Sequence, residues 1–126
     1  MDTIPSRSIL IVDDHKDGAH TLSQLLRLKG YMVEVCEDGV QCITLAERIR
    51  PHAMIMDLKL PGMSGYDVAQ SIRAHAELKK MLLIAYTGYA SPSVKARALA
   101  AGFDRYVVKP VLIDELVGVL PQVTPR

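Results

Sequence analysis

The sequence predicts an α/β fold: a doubly wound parallel sheet of five strands held between helices in an α/β/α sandwich. Three observations carry this. Five short apolar runs, each too short for a helix, recur along the chain. Each is followed by a segment whose apolar residues repeat at helical spacing, and cap or turn residues fall at the joins. Strands and helices in strict alternation imply parallel pairing through right-handed crossovers.

The first run, Ser8 to Val12, ends in Asp13-Asp14. Ala19, Leu22 and Leu26 then recur at i, i+3 and i+7, and Gly30 closes that helix. Tyr31 to Cys36 is the second strand, and Cys42, Leu45, Ala46 and Ile49 make the next one-sided helix. Ala53 to Met56 is the third strand, with Met54 and Met56 as ordinary core. Gly62 and Gly65 serve the turn after it, and Val68 with Ile72 marks the third helix. Met81 to Tyr86 shows no alternation, as expected of a central strand covered on both faces. Ser91-Pro92 supplies an N-cap and first helical residue, Val94, Ala98 and Ala101 the stripe, and Gly102 the stop. Tyr106 to Val108 is the fifth strand, and Ile113, Leu116, Val117 and Leu120 form the last helix, halted by Pro121.

The 126 residues read as one domain, with a core from about residue 8 to residue 121 and no linker or repeat dividing it. The tails, Met1 to Arg7 and Gln122 to Arg126, are expected as frayed ends or as cut linkers to another domain. Lys and Arg number 15 against 14 Asp and Glu, so no charge excess is available to hold a nucleic-acid backbone or an anionic membrane surface. Five Tyr, one Phe and no Trp also argue against a base-stacking platform. No stretch reaches the roughly 20 apolar residues of a membrane span, and the polar N-terminus lacks a signal-peptide core. A cytoplasmic protein is expected. Cys36 and Cys42 lack CxxC spacing and a histidine at a zinc-finger interval, and are expected to be buried free thiols.

In an open parallel sheet, ligands bind outside the carboxyl ends of the strands. Those ends carry Asp13-Asp14, Asp57, Thr87 and Lys109-Pro110. Three carboxylates, a hydroxyl and an ammonium therefore converge on one edge. Two like charges ~4 Å apart repel by about 4 kcal/mol at an effective dielectric near 20, so the cluster calls for a cation. A hard divalent ion such as Mg²⁺ suits carboxylate oxygens, and Lys109 supplies a fixed positive charge. Such a site could neutralise an incoming phosphoryl group while a carboxylate attacks phosphorus. The same charge count predicts that Asp13→Asn or Asp57→Asn raises metal-free stability by about 1 kcal/mol.

The segments Ile9-Leu10-Ile11-Val12-Asp13-Asp14, Met56-Asp57-Leu58-Lys59-Leu60-Pro61-Gly62-Met63-Ser64-Gly65 and Tyr106-Val107-Val108-Lys109-Pro110 occur in order. With them the sequence resembles a response-regulator receiver domain over nearly its whole length. The resemblance implies a flavodoxin-like strand order, 2-1-3-4-5. It implies that Asp57 is the phosphoacceptor, taking a phosphoryl group from a phosphohistidine on a histidine kinase or histidine phosphotransfer protein. Asp14 and Asp57 would ligate Mg²⁺ directly and Asp13 partly through water, with the backbone carbonyl of Lys59 completing the set. Thr87 and Lys109 would each contact a phosphoryl oxygen, Tyr106 would be the aromatic whose rotamer follows Thr87, and a cis peptide would precede Pro110. Such a domain is no enzyme towards a separate substrate, although it assists its own Mg²⁺-dependent phosphotransfer and dephosphorylation. Its output would be a changed face built from the fourth helix, fifth strand and fifth helix, read by a downstream protein. The alanines of the fourth helix, Ala96, Ala98, Ala100 and Ala101, bury little area each and suit a loosely held element.

Gly88 stands where the family commonly has alanine, and Arg105 where a second acid is frequent. Thr87-Gly88-Tyr89 and Ala101-Gly102-Phe103-Asp104 resemble receivers attached to hybrid histidine kinases. His15, His20, His52 and His75 are spread over separate elements and are expected at surfaces or helix ends, with His15 placed to meet a phosphodonor.

Simpler readings exist for each residue. Asp13 or Asp14 could cap the first helix, but a cap needs only one of them. A nucleotide-using enzyme or flavin binder would show glycines and backbone amides at the first strand-helix turn, where this chain has two acids. A phosphohydrolase of the haloacid-dehalogenase type wants an acid two residues after its nucleophile, and Lys59 stands there. The remaining alternative is a receiver-like binding module that signals without phosphorylation.

Overall fold

A computed structural model describes residues 7–88 and 91–121. The expected frayed tails, apart from Arg7, and the sub-family residue Tyr89 lie outside the described residues.

Five strands and five helices alternate. They are β1 (Ser8–Val12), α1 (Lys16–Leu28), β2 (Met32–Cys36), α2 (Gly39–Ile49), β3 (Ala53–Met56), α3 (Gly65–Ala74), β4 (Leu82–Thr87), α4 (Pro92–Ala101), β5 (Arg105–Val108) and α5 (Ile113–Val117). All strand pairs are parallel, in the order β2-β1-β3-β4-β5, so the flavodoxin-like topology stands.

The period of two along each strand sorts the core into two layers. Leu10, Val12, Met54, Met56, Leu83 and Ala85 pack with Cys42 and Ala46 of α2, Val68 and Ile72 of α3, and Ala98 and Ala101 of α4. Ile9, Ile11, Ile55 and Ile84 pack on the other face with Ala19, Leu22 and Leu26 of α1 and Leu116 of α5. Each large aliphatic buried this way contributes about 1.5–3 kcal/mol before chain entropy is counted. On α4 only Ala98 and Ala101 are fully buried, in keeping with its small residues.

Helix ends follow the sequence closely. Ser64 and Ser91 cap α3 and α4, accepting from the N–H groups of Asp67 and Val94, and Pro92 opens α4. Gly102 ends α4 at φ 121°, where a side chain would be strained and a Cβ would meet Arg73 Cγ at 2.7 Å. The last helix is shorter than the apolar stripe suggests. Beyond Val117 the N–H groups of Val119 and Leu120 reach back to the carbonyls of Leu116 and Val117, a tighter i→i+3 winding that begins at helix-weakening Gly118. Leu120 is still buried.

Candidate functional site

Backbone pairing continues one residue past several strand ends and fixes where the loops begin. The N–H of Asp13 donates to the Cys36 carbonyl at 3.0 Å, that of Asp57 to Val12 at 2.9 Å, and that of Lys109 to Thr87 at 2.8 Å. Asp13, Asp57 and Thr87 are thereby held at one end of the sheet, with exposures of only 5%, 7% and 1%. The Lys109-Pro110 peptide is cis, as expected.

The side chains converge. Lys109 Nζ donates to Asp13 Oδ2 at 3.0 Å and to Asp57 Oδ2 at 3.1 Å, joining residues far apart in sequence. Asp13, Asp14, His15 and Asp57 each offer one donor atom, all within 4.8 Å of one another. The Lys59 N–H donates to Asp57 Oδ1 at 3.1 Å, so the loop after β3 folds back over the carboxylate. Asp13 Oδ1 accepts from the His15 N–H at 2.9 Å, and His15 itself occupies the N-cap position of α1 without a side-chain cap bond. Neither acid is the N-cap residue, so the capping reading fails.

Three carboxylates beside a backbone turn form a hard-oxygen donor set suited to an alkaline-earth ion. Neither cysteine belongs to this donor set. Cys36 and Cys42 are free and buried, and burial, followed by the Cys36 and Asp38 charges, pushes the Cys42 thiol up to about 12.

The model of the response regulator receiver domain matches residues 9–120. The chain belongs to this family. It is 38% identical over 118 residues to the DNA-binding response regulator MtrA of Mycobacterium tuberculosis, covering 94% of this chain and 50% of that protein. It thus spans about half the length of the curated response regulators it matches. A putative response regulator from Chloroflexus aurantiacus superposes with TM-score 0.87 at 32% identity, covering 90% of this chain and 93% of that one. The receiver domain of the sensor histidine kinase PA1611 from Pseudomonas aeruginosa superposes with TM-score 0.82 at 34% identity, covering 89% and 92%. That structure carries a magnesium ion coordinated in its active-site cleft. The chain is accordingly a two-component receiver domain, a signalling module.

In this receiver the charges stabilise one another. Burial alone would raise the Asp13 pKa, but the His15 N–H and then the hydrogen bond and charge of Lys109 outweigh it and hold the carboxyl below its ordinary value. Burial would lower the Lys109 pKa, and its bonds to Asp13 and Asp57 outweigh that, holding the ammonium above its usual value.

Thr87 is the last residue of β4, paired in register with Val108, and Tyr106 is half-buried on β5 opposite Ala85. Two contacts escaped sequence reasoning. His15 Nδ1 lies 3.0 Å from Asp13 Oδ1 and 3.4 Å from Asp14 Oδ1, which its place directly after the acidic pair could have signalled. Arg73 donates to the carbonyls of Lys79, Met81 and Gly102 and to Asp104 Oδ2, which also accepts from the Leu83 N–H. No spacing rule announces that staple, because most of its partners are backbone. Among the described residues no helix is long and apolar enough to cross a membrane.

Proposed function

We propose that Asp57 accepts a phosphoryl group from a phosphohistidine on a histidine kinase or histidine phosphotransfer protein. The observation that carries this reading is the Lys109 ammonium, bonded at once to Asp57 and Asp13 beside a third carboxylate. An Asp57 carboxylate oxygen forms the new bond to phosphorus as the phosphorus–nitrogen bond breaks. The electron pair leaves with the imidazole. Lys109 passes from Asp57 to a phosphoryl oxygen, and Thr87 donates to another.

Asp13, Asp14 and Asp57, with the backbone carbonyl of Lys59, would hold Mg²⁺. When bound, that ion supplies charge neutralisation between the carboxylates and the incoming phosphoryl oxygens. The same groups serve the later hydrolysis of the aspartyl phosphate, so the domain assists its own turnover.

Phosphorylation adds about −1.5 to −2 charge at the mouth of the sheet. Thr87 moves towards it, Tyr106 follows into the vacated space, and the face of α4, β5 and α5 changes. Exposed Leu99 and Leu112, at 45% and 71%, lie on that side and suit a downstream protein. The near-balanced charge supports protein partners over nucleic acid for this domain, and the domain works in the cytoplasm, alone or within a hybrid kinase or longer regulator.

Incubation with Mg²⁺ and acetyl phosphate, followed by intact mass measurement, tests the proposal. One added phosphate that is absent in Asp57→Asn is expected. No gain from acetyl phosphate or any histidine kinase would overturn it in favour of a module that signals without phosphorylation.

A further inference from the structure

Lys109 carries a flexible four-carbon stem, and its ammonium has to leave one oxygen for another without straying into solvent. Two carboxylates hold it on one side. A third neighbour is aromatic: the ammonium lies over the ring of Tyr86, 5.1 Å from the centroid, within cation–π range. Tyr86 precedes Thr87 on β4, so the alternation of the strand sends it to the opposite face of the sheet. There it packs against the layer formed by α1 and α5 and walls the groove between them, along with Leu22, Val111 and Ile113. A ring pinned by a packed layer is a fixed surface, unlike a carboxylate that changes partner during the reaction.

We infer that Tyr86 is a positioning residue, whose ring keeps the Lys109 ammonium over the acid cluster while it passes from Asp57 to the phosphoryl group. The inference rests on the phosphoacceptor reading above and extends it to a side chain outside the acid cluster. The ring face, not the hydroxyl, does this. Phenylalanine therefore substitutes for tyrosine and leucine does not.

The unsubstituted protein, Tyr86→Leu and Tyr86→Phe are given Mg²⁺ and acetyl phosphate, and phosphate gain is followed by mass. Tyr86→Leu is expected to slow the gain about two- to five-fold, the range a partly exposed cation–π contact supports, and Tyr86→Phe to restore it. An unchanged rate in Tyr86→Leu overturns the inference. If the unsubstituted protein gains no phosphate, the phosphoacceptor reading itself fails, and the contact is then judged by a double-mutant cycle in metal-free unfolding. Tyr86→Leu should cost about two- to five-fold less in the unfolding equilibrium in the Lys109→Met background. Strict additivity overturns the contact. Should the leucine variant fold poorly, proton NMR of the unsubstituted protein decides. The ε-methylene protons of Lys109 are expected upfield of the other lysines under the ring current, and unshifted positions overturn the contact.

Discussion

Gly65 lies directly against Asp57: a Cβ added to the glycine would stand 2.7 Å from the Asp57 carbonyl oxygen and 2.9 Å from the Leu58 Cα. Its N–H donates to the Leu58 carbonyl at 3.0 Å, so the first residue of α3 is clamped under the strand end that carries Asp57. Both clashing atoms belong to backbone and cannot rotate aside. Gly65→Ala is therefore expected to cost about 1–3 kcal/mol and to slow phosphate uptake by displacing Asp57. Urea denaturation and mass measurement check it, and a variant equal to the parent in both would show the loop to be compliant.

Asp13 and Asp57 contribute equally to a charge count, but the structure separates them. Asp57→Asn removes one of three crowded carboxylates and weakens its Lys109 bond, but leaves Asp13 with both Lys109 and His15, and is expected to raise metal-free stability by about 1 kcal/mol. Asp13→Asn sacrifices the bonds that hold that carboxyl ionised, and is expected to gain clearly less. Mg²⁺ should raise the melting temperature of the parent more than that of either variant. Equal shifts in all three would count against a metal site.

The charge network sets a pH window for metal-free stability. The Asp13 pKa is lowered by folding, so its contribution is full above the unfolded value of about 3.9 and fades as pH falls through the folded one. The Lys109 pKa is raised, so its contribution is full below about 10.4 and is lost as pH rises through the folded value. Burial of the Cys42 thiol acts on the alkaline side as well, since the unfolded thiol ionises first, near pH 8.5. Denaturant midpoints measured in EDTA should be flat near neutrality and fall on both sides. A midpoint still rising beyond pH 10 would contradict these assignments.

Arg73 ties α3, the approach to β4 and the turn after α4 into one unit. Arg73→Met leaves three carbonyls without this donor and is expected to cost about 1–3 kcal/mol. Its reach towards Gly102 suggests a selective effect. Hydrogen exchange should quicken at the C-terminal end of α4 more than in α1, and uniform loss of protection would rule out a local staple.

The strands, the helices and Asp13, Asp14, Asp57, Thr87 and Lys109 were legible because a buried parallel strand is a short apolar run and its chemistry begins at the residue where the run stops. The chain could not reveal that one ammonium bridges Asp13 and Asp57, since that depends on which residues the sheet order makes neighbours. Gly65 reads as a turn residue from sequence, and only its proximity to Asp57 shows that space, rather than backbone torsion, requires it. The early end of α5 reflects Gly118, whose effect on helix propensity is too small to override the apolar stripe in a sequence reading.

The acids at residues 13 and 57 and the lysine at residue 109 meet only when β1, β3, β4 and β5 are all in register. A nascent copy whose synthesis has not yet passed position 109 holds the acids without their counter-charge. Copies that end before residue 109 are therefore expected to lack the ammonium that neutralises Asp13 and Asp57.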